Sequence, residues 1–341
     1  MSVTYPLDAL VSFHYYRTDK AMQPLVATGR LRMIGDSGAY SALTQGTPIN
    51  MADYVPWVRQ WDPYLCWTAA LDVIGDPVAT LHNWRQLRDR HQLVTVPTLH
   101  VGTDPRWMEP YAREGCDFLG LGGMVGRAVQ SLPWVVRVFR YARDHHPQMR
   151  FHLWGITHRQ FLDNLPAYSA DSSGFGASYR FARLSLFDPR TGRHLLVDMR
   201  NTNGVYGVGP LLRQVYGMDP TLVRRPTRAN RHLLIQLAAQ SNQLYADWLQ
   251  RRHGVSPPSW ALHHPAHLTV PEPTGPRIHA VTSGSGGHVD DLGRAVGDPP
   301  VGPRIHAVST KNNDLETAVG PRVHAVDADP QPLLDAVTGD E

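Results

Sequence analysis

The feature that most restricts how this chain can fold is an alternation. From about residue 9 to residue 253, short apolar runs follow one another with amphipathic, charged stretches between them. A buried parallel sheet needs near-continuous apolar strands, and each crossover needs a helix with one apolar face, so this rhythm predicts repeated strand–helix units. The candidate strands are 10–15, 31–35, 64–71, 93–100, 117–121, 150–155, 168–171 and 183–187. Helix-like segments at 77–90, 104–114, 128–145 and 158–165 lie between them, several opening on the Asp or Pro that helix N-termini prefer. Eight units in about 245 residues fit a closed (β/α)8 TIM barrel better than an open sheet. A last helix over 229–252 carries Leu233, Leu234, Leu237, Leu244, Tyr245, Trp248 and Leu249 on one face and is expected to pack outside the barrel.

After Gly254 the composition turns to Pro, Gly, Ser, Asp and His. The expected division is therefore a barrel domain over 1–253 and a disordered tail over 254–341. The tail repeats itself: GPRIHAV at 275–281, GPRIHAV at 302–308 and GPRVHAV at 320–326. Copies offset by 27 and then 18 residues lack the fixed period of a solenoid. They read as short linear motifs that dock on one protein partner with avidity, or as duplications that bind nothing.

Charge is uneven along the chain. Residues 1–253 hold 28 Lys and Arg against 19 Asp and Glu, a net +9, whereas 254–341 hold 5 against 11, a net −6. A basic body suits a polyanionic partner, and the cations are almost all Arg, Lys20 and Lys311 being the only lysines. Arg224, Arg225, Arg228 and Arg231 are candidates for nucleic-acid backbone contacts, the alternative being a solvated helix start. Two cysteines, Cys66 and Cys116, lie in apolar runs without a CxxC neighbour, which points to neither a disulfide framework nor a zinc site. No stretch approaches the length of a membrane span, and the N-terminus lacks a signal-peptide pattern. A cytoplasmic protein is expected.

A barrel keeps its chemistry where strands end, and those exits carry a consistent set of groups. Met33-Ile34-Gly35-Asp36-Ser37-Gly38-Ala39-Tyr40 delivers an acid, a hydroxyl and an aromatic ring to a glycine-loosened turn. Asp72 follows the third candidate strand, His100 ends the fourth, Gly122 and Gly123 the fifth, Trp154 the sixth and Asp171 the seventh. Each acid alone could simply cap the next helix. Together they suit cleavage at an anomeric carbon, one carboxylate attacking and another handling the leaving group's proton. A third can accept paired hydrogen bonds from the N1–H and amine of guanine, and aromatic faces suit a flat base.

These segments resemble the tRNA-guanine transglycosylase superfamily, and most closely the DpdA-like 7-deazaguanine DNA transglycosylases of phages and genomic islands. Asp36-Ser37-Gly38-Ala39-Tyr40 resembles that family's DSGG[FY] segment, Leu121-Gly122-Gly123-Met124-Val125-Gly126 its GGLAVGE segment, and His152-Leu153-Trp154-Gly155-Ile156 its YLMGVG segment, in that order over roughly residues 10–200. The resemblance implies Asp171 as nucleophile on C1′, Asp36 as general acid/base and Asp72 as reader of the base. It implies Tyr40 and Trp154 as the faces of a base sandwich, with Ser37 in the substrate site and Gly122, Gly123 and Met124 offering backbone contacts. His100 falls where the family usually carries Gln. The zinc-binding CxCxxC of the tRNA enzymes has no counterpart, since no Cys follows Cys116, and Ser169-Ala170-Asp171-Ser172 replaces their FDCV. Both differences favour DNA over tRNA as substrate.

The expected activity is thus exchange of guanine in DNA for a 7-deazaguanine base such as preQ0, through a covalent aspartyl intermediate, with no metal and no cofactor. The alternatives are a tRNA-guanine transglycosylase, a non-catalytic nucleic-acid-binding barrel, and a sugar hydrolase using water as acceptor.

Overall fold

The computed structural model describes residues 7–172, 177–201, 203–268 and 277–282. It is a mixed α/β fold around a parallel sheet. Strands β1 (Leu7–Ser12), β2 (Leu31–Asp36), β3 (Leu65–Thr68), β4 (Thr98–His100), β5 (Phe118–Gly122), β6 (Arg150–Leu153) and β7 (Ser169–Ser172) match seven of the eight expected strands to within a few residues. A separate antiparallel hairpin, β8 (Arg183–Asp188) with β9 (Arg193–Asp198), follows, and the last described strand is β10 (Arg277–Thr282). The large sheet runs β3-β2-β1-β10-β7-β6-β5-β4, every pairing parallel. Its two edges are themselves linked by a parallel bridge between Ala69 and Val96, with Val96 N donating to Thr68 O and Ala70 N to Val96 O, each at 2.8 Å.

Strand periodicity divides the side chains in two. Leu7, Ala9 and Val11 of β1, Leu31 and Met33 of β2, Leu119 and Leu121 of β5, and Phe151 and Leu153 of β6 join the main apolar core with the helices, Met22, Leu25, Trp84 and Phe139 among them. The intervening positions form the other face, which mixes apolar with polar groups: Leu10 and Ser12, Arg32 and Ile34, Phe118, His152, Ser169, Asp171, Arg277 and His279, all buried. The buried Arg32–Asp8 ion pair lies on this face.

Two expectations about the chain's second half need correcting. Residues 183–187 do not supply the eighth strand of the sheet. Asp188 accepts from Arg190 N at 3.0 Å and turns the chain through Asp188-Pro189-Arg190-Thr191-Gly192 into β9, so β8 spends its edge on a hairpin. The vacant place between β1 and β7 is taken by β10, which is the first GPRIHAV copy. Nor does residue 253 end the folded unit. Gly254, at φ +60°, is only the left-handed cap of the helix Arg231–His253. Beyond it Val255, Ala261 and Leu268 are buried, His263 N donates to Cys66 O at 3.0 Å, Ala266 N to Pro63 O at 2.7 Å, and Ser259 N to Asp117 Oδ2 at 2.8 Å. The helix Arg231–His253 buries Tyr245 and Leu249 in the main core and Leu234 and Leu237 in a second core with Leu184, Leu186 and Val197 of the hairpin, and Ser241 Oγ accepts from Phe187 N at 2.9 Å. The second and third GPR[IV]HAV copies, and the disorder expected for most of the tail, lie outside the described residues.

Among the described residues no helix is long and apolar enough to cross a membrane.

Candidate active site

The three acids arrive from three strands at the same end of the sheet. Asp36 is the last residue of β2, in register with Ser12 of β1; Asp72 lies four residues beyond β3; Asp171 sits in β7, in register with His279 of β10. All three line one cavity of about 320 Å³, together with Tyr40, His100, Gly122, Gly123 and Trp154. That volume is at the small end of ligand sites, enough for one fused ring system.

Asp36 bears the strongest electrostatic stress. Burial, with the charges of Asp72 and Asp171 adding to it, pushes its carboxyl from 3.8 up to about 7, against the opposing pull of the Gly38 amide. A carboxyl poised near neutrality can both give and take a proton. The turn that holds it requires Gly38, whose φ is +79° and where a Cβ would lie 2.5 Å from His14 Cβ and 2.6 Å from Ser12 Oγ.

Asp171 is anchored through one oxygen. Its Oδ1 accepts from Gly155 N at 2.8 Å and lies 3.1 Å from His152 Nε2, and among the described residues both bonds fall on that oxygen, leaving Oδ2. His152 Nδ1 lies 2.8 Å from Ser169 Oγ. Burial pushes the His152 imidazole below its ordinary value, the Asp171 hydrogen bond opposing. The neutral ring then donates from Nε2 to Asp171 and accepts at Nδ1 from Ser169, which fixes its tautomer.

Asp72 is held from both sides, with Oδ2 2.8 Å from His100 Nε2 and Oδ1 accepting from Ser37 Oγ at 3.3 Å. Each carboxylate oxygen accepts more than one hydrogen bond, so both edges stay available to a ligand. His100 thereby acquires a place in the site, as the imidazole that orients Asp72. Trp154 donates from Nε1 to Thr98 Oγ1 at 3.1 Å and meets the rings of His152 and Trp67 edge-on, with centroids 4.2 and 5.6 Å away. It occupies the space left by Gly120, where a Cβ would sit 2.1 Å from its Nε1. Tyr40 is about half exposed, at the rim.

Not every expected residue reaches the cavity. Met124 is fully buried in the apolar core and does not line it, and Ser37 acts through Asp72. Arg224 and Arg225 stand instead around a separate groove with Thr221, Leu222, Thr227, Asn230 and Leu233, and neither Arg228 nor Arg231 lines the acidic cavity. Sequence reasoning gave no role to His152 or to Arg127, which lines the cavity and donates from Nε to Gly123 O at 3.0 Å. For His152 a signal existed: it shares strand parity with Trp154, so both face the same side of β6. Cys66 and Cys116 are both buried. Among the described residues no group of three His, Cys, Asp or Glu side chains could hold a metal ion. No protein-family model matches the chain, and neither does any curated protein.

Proposed function

We propose that the chain is a transglycosylase that exchanges guanine in a nucleic acid, DNA in preference to tRNA, for a 7-deazaguanine base, on a (β/α)8 barrel closed by β10 and by the Ala69–Val96 bridge. The observation that carries the reading is that Asp36, Asp72 and Asp171, distant in sequence, line one base-sized cavity at the carboxyl ends of parallel strands, where such barrels work.

In the proposed reaction a guanine nucleotide leaves the stack and enters the cavity, as enzymes acting on bases require. Asp72, oriented by His100 and Ser37, accepts hydrogen bonds from N1–H and the exocyclic amine. Asp171 Oδ2 attacks C1′, forming a C1′–O bond as the C1′–N9 bond breaks; the departing base takes its proton from the Asp36 carboxyl. After guanine is replaced by the deazaguanine, the Asp36 carboxylate removes its N9 proton and N9 attacks C1′, releasing Asp171. A carboxyl near pH 7 suits this return trip, since it is populated in both forms at neutrality. His152 and the Gly155 amide hold Asp171 in line, and Arg127 at the rim is placed for a phosphate of the flipped nucleotide. The absence of any Cys after Cys116 supports DNA over tRNA, because the zinc-supported subdomain of the tRNA enzymes cannot form.

The test is to trap the intermediate. Incubated with duplex DNA, the protein should yield an acid-stable adduct whose mass maps to Asp171, and Asp171→Ala should give none while keeping its fold. An adduct that persists in Asp171→Ala would overturn the mechanism, and an adduct on tRNA alone would overturn the choice of substrate.

A further inference from the structure

The place of β10 in the sheet asks for a particular short sequence. Between β1 and β7, Ala280 is in register with Ala9, and Arg277, Ile278 and His279 with Ser169, Ala170 and Asp171. Ile278 faces the apolar core, whereas Arg277 and His279 are buried on the polar face, the His279 ring centroid 6.1 Å from that of His152. The chain carries this sequence three times. Residues 302–308 repeat 275–281 without a change, and 320–326 differ only by Val323 in the position of Ile278. The likeness runs on beyond the heptapeptide: L-x-x-A-V follows each copy, at Leu292-Gly293-Arg294-Ala295-Val296, Leu315-Glu316-Thr317-Ala318-Val319 and Leu333-Leu334-Asp335-Ala336-Val337. What is triplicated in the sequence is the segment that forms β10 in its first copy, followed each time by apolar residues at i, i+3 and i+4.

We propose that the place between β1 and β7 is a docking slot for any of the three copies, and that residues 302–308, and more weakly 320–326, exchange with residues 275–281 as its occupant within one molecule. Main-chain pairing to β1 and β7 is indifferent to which copy supplies it, and Arg304, Ile305, His306 and Ala307 present the same side chains as Arg277, Ile278, His279 and Ala280. Only the tether differs. The chain is held to the fold up to Leu268, leaving nine residues to Arg277, 36 to Arg304 and 54 to Arg322. Local concentration falls roughly as the −3/2 power of tether length, so the second copy occupies the slot about 8-fold less than the first and the third about 15-fold less before its smaller Val323 is counted. Because each copy brings its own Arg and His, exchange preserves the imidazole beside His152.

Two measurements on the full-length chain test this. Ile278→Asp disables the first copy by placing a charge in the core. If 302–308 takes over, the variant stays folded by circular dichroism with a melting temperature lowered by a few degrees, whereas Ile278→Asp with Ile305→Asp and Val323→Asp loses its cooperative transition. Equal damage in the single and triple variants would overturn the proposal. Ala9→Cys combined with Ala307→Cys reads the register directly. A disulfide between positions 9 and 307 should form slowly in the otherwise native chain, at roughly one-eighth of the rate for Ala9→Cys with Ala280→Cys, and should become dominant when Ile278→Asp is added. Failure of that bond to form in the Ile278→Asp background, or a bond only between two molecules seen at twice the chain mass, would overturn exchange within one molecule.

Discussion

Replacing Asp36 by Asn should make the protein more stable at alkaline pH while removing its activity. The carboxyl titrates near 3.8 in an unfolded chain and near 7 in the fold, so the folded state holds the proton more tightly. Below about pH 4 the group is protonated in both states and costs nothing; folding takes up a proton between about pH 4 and 7, and stability drains away as pH rises through that window. Above pH 7 the group is ionised in both states and the whole penalty stands. At 1.36 kcal/mol per pH unit the shift sets a ceiling of about 4 kcal/mol. Asp36 is partly open to the cavity, and water there screens the charge, which brings the expected gain to about 1–3 kcal/mol. Asn keeps the shape and an acceptor for the Gly38 amide but carries no charge. Urea unfolding of both proteins at half-unit steps from pH 4 to pH 8 measures the difference: near zero at pH 4, rising through pH 5 to 7, flat above. A difference that does not change with pH, or an Asn variant less stable at pH 8, would refute the claim that this acid is held in the fold at an energetic cost.

Three other substitutions separate the site's parts. His152→Leu removes the imidazole donor to Asp171 Oδ1, and loss of one buried bond to a charged group, about 1.5–3 kcal/mol, should slow adduct formation about 10–100-fold in single-turnover measurements. An unchanged rate would show that Gly155 alone positions Asp171. Asp72→Asn should raise the guanine-substrate KM far more than it lowers kcat, because in the proposed reaction Asp72 meets the base edge and not C1′; the reverse pattern in steady-state kinetics would assign Asp72 to the chemistry instead. Gly38→Ala should destabilise the fold by at least about 1–3 kcal/mol in urea, since it adds a Cβ at φ +79° against Ser12 and His14. A neutral result would mean the turn can be rebuilt.

The sequence announced the sheet's first seven strands because a strand buried on both sides has little room for anything but apolar residues, and the acids stood out because each interrupts such a run at its carboxyl end. It misplaced the eighth strand for a physical reason. Arg183–Asp188 alternates as well as any strand, and only the turn after it, with Asp188 capping Arg190, decides that it pairs back on itself. The true occupant, Arg277–Thr282, looks unlike a core strand because Arg is mostly an exposed residue and His one of intermediate burial; both are buried here on the polar face beside Tyr168, Asp8 and His152. The same face explains why His152 was overlooked: a histidine in an apolar run reads as packing until Asp171 is seen 3.1 Å away. Met124 follows two glycines that do line the cavity, yet its side chain points into the core, a choice that backbone pattern does not specify.

The most direct test of base exchange is to incubate the protein with duplex DNA and radiolabelled preQ0 and count label in the recovered strand. The account requires label in DNA, released guanine in equal amount, and neither with Asp36→Asn or Asp171→Ala. Label in tRNA but in no DNA would contradict the substrate, and none in either, with Asp36 and Asp171 intact, would contradict the exchange itself.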